Sequence, residues 1–115
     1  MDSILISVKK MLGIEANYTH FDTDIILHTN TVFGILAQLG VGPSGGFSIT
    51  GDSETWTDFL GDSTDLEMVK SYIFMKVRLL FDPPVNSAAI EAMKNLVSEL
   101  EWRINVSVDP KKESW

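Results

Sequence analysis

The residues of this chain best suited to chemistry by type and spacing are His20, Asp24 and His28, which recur at four-residue intervals. On one continuous helix they would form a single line of imidazole and carboxylate groups, a donor set that suits zinc or iron. The neighbouring Asp22 argues against that line. As the predicted N-cap it leaves His20 outside the helix, so a solvated helix face is the stronger reading and no metal site is expected. Nucleophilic catalysis fares no better. There is no cysteine, and the two histidines stand close together, so the many Ser and Thr hydroxyls find no recognisable base and orienter. The glycines at positions 40, 42, 45 and 46 could present backbone N–H groups to an anion. They follow a helix rather than a strand, however, and no Gly-Lys-Ser/Thr comes after them, so a connector or binding loop is expected rather than a nucleotide loop. Asp62, Asp65 and Glu67 cluster at a predicted helix start, where the macrodipole accounts for them. No catalytic, cofactor-binding or metal-ligating residue is assigned, and the chain is expected not to be an enzyme.

The elements that position these residues are helical. Ile4, Val8, Met11 and Leu12 share one side of a short first helix, with Asp2 or Ser3 as its cap and Gly13 as its stop. A second helix opens at Asp22, carries Ile25, Val32, Leu36 and Leu39, and ends at Gly40. Its interior Gly34 costs about 1 kcal/mol relative to Ala and suggests close packing. The glycine-rich break from 40 to 51 surrounds an alternating run, Phe47-Ser48-Ile49-Thr50. That run is a candidate short strand that must pair locally or with another chain, or else remain a loop. Ser53 is the expected cap of a short helix with Trp56, Phe59 and Leu60, closed by Gly61. Thr64 and Glu67 have capping-box spacing for a fourth helix, which carries Leu66, Val69, Ile73, Val77 and Leu80 and stops before Pro83-Pro84. A last helix begins near Asn86-Ser87 with Ile90, Met93, Val97, Leu100 and Ile104 as its seam. The expected fold is therefore all-α, a small bundle of four to five helices. It forms a single domain over residues 1–106, followed by a C-terminal tail over 107–115.

Composition limits what such a bundle can do. The 115 residues include 9 Lys and Arg against 16 Asp and Glu, a formal charge of −7. Phosphate neutralisation supplies most nonspecific DNA affinity, so a general duplex-binding role is disfavoured. Hydrophobic residues make up 44 %, enough for a packed core. No apolar run approaches a membrane span, and the start of the chain lacks the pattern of a secretory signal, so a reducing, intracellular setting without a membrane partner is expected. The tryptophans carry more information. Trp102 falls nearly opposite the Met93, Val97 and Leu100 seam with Val106 one turn away, so either another helix covers it or it anchors a subunit boundary. Trp115 tips a Pro- and Lys-containing tail too short to build a core, and is either a loose end or a segment that orders on a partner.

Two stretches carry a family resemblance. The opening, with Leu5, Val8-Lys9, Leu12-Gly13-Ile14, Glu15 and Asp22, and above all the run Val69-Lys70-Ser71-Tyr72-Ile73-Phe74-Met75-Lys76-Val77-Arg78-Leu79-Leu80-Phe81-Asp82-Pro83-Pro84 followed by Glu99-Leu100-Glu101-Trp102-Arg103-Ile104-Asn105-Val106, resemble the head-tail connector, or adaptor, proteins of long-tailed bacteriophages. The likeness is to small neck proteins of phages and prophages of low-GC Gram-positive bacteria, and the loop from 40 to 51 is longer than that pattern. The resemblance implies a helical subunit of a ring, commonly dodecameric, in the virion neck, assembled in the host cytoplasm. Such a ring sits under the portal protein, receives the next neck or tail component and lets DNA pass without specific binding. The candidate subunit or partner interface comprises Phe47, Ile49, Trp56, Arg78, Trp102, Arg103, Val106 and Trp115. The rival reading is a small acidic, non-enzymatic regulator that binds or blocks another protein.

Overall fold

The computed structural model describes residues 3–43, 45–61 and 66–108. Among the described residues there are five helices: α1 (Ile4–Met11), α2 (Asp22–Gln38), α3 (Trp56–Leu60), α4 (Leu66–Phe81) and α5 (Ser87–Val108). The molecule is 19 Å across its thinnest direction. That is about two helix diameters, so the helices lie in about two layers and most keep one face open.

Ser3 caps α1, its hydroxyl accepting the Ile6 N–H. The buried face is Ile4, Leu5, Val8 and Lys9. Met11, expected on that stripe, is 56 % exposed. The buried sector is rotated toward Leu5 and Lys9, which leaves Met11 at its edge. The helix ends with two bonds, Gly13 N–H to Lys10 and Ile14 N–H to Lys9. α2 ends in the same way, with Gly40 N–H to Ala37 and Val41 N–H to Leu36. Gly40 sits at φ +89°, the left-handed conformation this ending requires.

α2 begins with Phe21 at the N-cap and no side-chain cap. Asp22, expected as the cap, is the first helical residue instead, and its carboxylate lies 2.8 Å from the Lys9 ammonium. The core face of α2 comprises Ile25, Thr29, Val32, Phe33 and Leu36, with Leu39 partly buried against the same core. Gly34 looks outward, and a Cβ there would meet open space, so it is not a site of close packing.

The run at 47–50 forms no strand. Its central backbone groups are met by a side chain: Ile49 N–H donates to Asn30 Oδ1 at 2.7 Å, and Asn30 Nδ2 donates back to the Ile49 carbonyl at 2.9 Å. One amide thus does locally what a neighbouring strand would do. The loop is pinned further by Phe47, which packs against Phe33 and Phe59 with centroids 5.1 and 5.2 Å apart. At Gly42 a Cβ would come within 2.7 Å of the Phe59 ring, so only glycine lets the chain pass so near. Glu54 accepts from the backbone N–H and hydroxyl of Thr50. Burial raises its pKa, but these bonds and others from backbone N–H groups outweigh that, and the carboxyl stays below its usual range. α3 is capped by Thr55 rather than Ser53, in a reciprocal capping box with Asp58. Thr55 wins because Asp58 stands three residues on, at the spacing the box needs.

α4 lies centrally, packed on α2 and on α5. It buries Val69, Tyr72, Ile73 and Val77, while Leu80, expected with them, is 43 % exposed in the last turn, where cover for that face runs out. The proposed Thr64 cap lies outside the described residues. After Pro83-Pro84 the side-chain Oδ1 of Asn86 accepts the N–H groups of Ala88 and Ala89 and starts α5. This helix runs to Val108, past the boundary expected at 106. Of its seam only Val97 and Ile104 are fully buried, with Leu100 packed partly against them. The Tyr72 hydroxyl donates to Glu101 at 2.7 Å and ties the two helices together in antiparallel register. Burial first, then the bond to Glu101 and its charge, push the phenol well above its usual range and keep it protonated.

Candidate subunit interface

The expected surface residues separate into two groups, with Arg78 and Trp115 apart from both. Ile49 and Trp56 belong to the subunit's own core, 1 % and 4 % exposed, so neither side chain is offered to a neighbour. Trp56 is held from several sides: its indole N–H donates to Ser7 Oγ at 3.1 Å, its ring meets Phe74 edge-on, and the Lys70 ammonium sits 5.2 Å from its centroid. Phe47 is half-buried in the aromatic cluster with Phe33 and Phe59. Sequence pattern alone could not separate these from surface anchors, because a Trp in the first turn of a short helix and an alternating loop read the same way in either role.

The second group lies on α5. Trp102 is 67 % exposed, and no other described helix covers it. Val106 is one turn further on and half-buried, while Arg103 is exposed and bonds Glu99 at 2.9 Å along the helix. The same helix carries Leu96 at 44 % exposure. Arg78 is exposed in the last turn of α4. Trp115 lies outside the described residues.

A further concavity was not foreseen. Where the end of α1, the start of α2 and the end of α4 meet, an open groove of about 550 Å³ has Leu12, Ile14, Phe21 and Phe81 as its floor. Asp24 and Asp82 stand at its rim and His28 completes its wall. Phe21 and Phe81 meet edge-to-face at 5.5 Å. The line of His20, Asp24 and His28 does not form: His20 lies before the helix, in a T-shaped contact with Phe21 at 4.8 Å. Among the described residues no group of three His, Asp or Glu side chains is arranged to hold a metal. No described helix is long and apolar enough to cross a membrane.

Between α1 and the start of α2 lies the feature sequence reading missed most completely. Lys9 is 1 % exposed, and its ammonium reaches the Ala16 carbonyl at 3.0 Å, the Tyr18 carbonyl at 2.7 Å and Asp22. The two carbonyls accept its hydrogen bonds, the Asp22 carboxylate beside it supplies counter-charge, and together they fix the 14–21 connection against both helices. The available signal was positional: Lys9 stands four residues after Leu5, on the apolar side of its helix.

A thin, acidic, all-helical domain whose last helix shows apolar surface on the side away from its core has the build of a structural assembly subunit. The sequence model of the phage connector proteins matches residues 4–111, and the chain belongs to that family. No curated protein and no solved structure matches it significantly. Membership makes the chain a structural phage connector protein, one that works in contact with other phage head or tail proteins and in oligomeric form.

Proposed function

We propose that this chain is the head-tail connector subunit of a tailed phage, which forms a ring between the portal and the next neck or tail component and extends the DNA channel without catalysing a reaction. The observation that carries the reading is Trp102, a large indole two-thirds exposed on a helix that packs chiefly on α4 alone. Tryptophan is the residue type most enriched among interface anchors, and here it sits beside half-buried Val106 and the paired Arg103. Charge supports the same reading. Twelve copies at −7 each would bring about −84 to the ring, which discourages DNA from adhering to a conduit lined by acidic residues.

Electron microscopy of purified virion necks tests this directly. Density for this chain in a closed ring abutting the portal is the expected result. Particles whose necks lack the chain, or a purified chain that blocks a phage or host regulator without entering particles, would replace the connector by the regulatory reading.

A further inference from the structure

The groove over Phe21 and Phe81 combines features that suit one kind of occupant. Its floor is aromatic and aliphatic, and two carboxylates, Asp24 and Asp82, stand at its rim. A cationic segment with a large aromatic side chain complements both parts, since desolvated rings favour an aromatic and fixed carboxylates favour ammonium groups. The chain itself carries two adjacent lysines and a Trp in one segment, Lys111-Lys112-Glu113-Ser114-Trp115, which follows α5 and in which Glu113 leaves one net positive charge.

Geometry decides whether that segment fills its own groove or another's. α5 runs antiparallel to α4, with Glu101 level with Tyr72. From that level Val108 lies about 10 Å along the axis in one direction and Phe81 about 14 Å in the other, at 1.5 Å per helical residue. The separation of about 24 Å equals the greatest span of the seven residues 109–115 at roughly 3.5 Å each. An indole at 115 would approach its own Phe81 only along a largely extended segment, and Lys111 and Lys112, at most about 11 and 14 Å past Val108, would then stop well short of Asp82 about 25 Å away. A second copy imposes no such limit.

We infer that residues 111–115 of one copy dock in the Phe21–Phe81 groove of the next, with Lys111 and Lys112 on Asp24 and Asp82 and the Trp115 indole on the phenyl rings. The contact is head-to-tail: each copy gives a tail and receives one. Repetition of such a contact closes a ring when its rotation permits and otherwise grows a filament. The inference rests on the reading of the chain as a self-assembling subunit and adds where the copies join.

The test uses the full chain in two charge-reversed forms, followed by sedimentation velocity. One form carries Lys111→Glu with Lys112→Glu, and the other Asp24→Lys with Asp82→Lys. Each alone is expected to self-associate about tenfold or more weakly than the parent. Mixed in equal amounts they are expected to associate again, because each reversed tail then meets a reversed groove. Trp115→Ala is expected to weaken association with its melting temperature unchanged, and it guards against a groove variant that merely folds poorly. Reversed forms that assemble like the parent, a mixture no tighter than its components, or a tail that binds only a portal protein would each overturn the inference. The two readings fail separately. A tail-reversed chain that still builds normal necks removes the docking contact and leaves the connector, whereas absence of the chain from particles removes the connector while association in the purified protein still reports on the groove.

Discussion

Between α1 and α3, polar side chains reach irregular backbone: Lys9 the Ala16 and Tyr18 carbonyls, Asn30 both groups of Ile49, and, within one loop, Glu54 the Thr50 N–H. In the α4–α5 hairpin the cross-helix polar contacts run from side chain to side chain, Tyr72 and Lys76 to Glu101, and much of the apolar surface stays uncovered. The contrast follows from what each region must order. Irregular chain has backbone groups that no helix satisfies, so it can be buried only where side chains supply partners. Two long helices satisfy their own backbones and need only a seam, which leaves their outer faces open to other uses.

Five substitutions test this contrast. Ile104→Ala should cost about 2–5 kcal/mol in denaturant unfolding, since it empties a fully buried seam position, whereas Trp102→Ala should change unfolding by less than about 0.5 kcal/mol yet weaken assembly. Equal losses of stability for both would place Trp102 inside the fold and erase the open outer face. Asp22→Ala should cost about 3 kcal/mol, because the buried Lys9 ammonium loses its counter-charge while both carbonyls remain; the low end of the usual range applies, as Asp22 is a quarter exposed. Thermal unfolding that is insensitive to this change would mean that the two carbonyls suffice. Asn30→Ala should cost about 1–3 kcal/mol by stranding the Ile49 N–H, and amide hydrogen exchange at Ile49 should accelerate while that in α5 does not. Gly34→Ala should act in the opposite direction, raising stability by up to about 1 kcal/mol. A gain in melting temperature accompanied by loss of assembly would show that the glycine keeps the surface of α2 clear for a neighbour.

The helices and their order were legible in the sequence because local chemistry punctuates them. Gly13, Gly40 and Gly61 follow the last turns of α1, α2 and α3, Asn86 opens α5, and Pro83-Pro84 separates it from α4. The errors fall where a partner distant in sequence decides the outcome. Asp22 reads as a cap until Lys9 is seen to claim it, and the 47–50 run reads as a strand because nothing local reveals that Asn30 will serve its backbone. Met11 and Leu80 were placed by periodicity on buried stripes whose cover stops just short of them. On the candidate surface, Trp102 was identifiable by its angle on the helix. The groove was not, since Leu12, Phe21 and Phe81 come together only through the packing of three separate helices.

Lys9 and Lys10 are consecutive in the chain, yet one is sealed and the other open to solvent. Acylating reagents should therefore modify Lys10 readily in the native protein and reach Lys9 only after the region around α1 has opened. Mass-spectrometric footprinting of this one dipeptide would thus record both surface accessibility and local unfolding, each residue serving as the internal standard for the other.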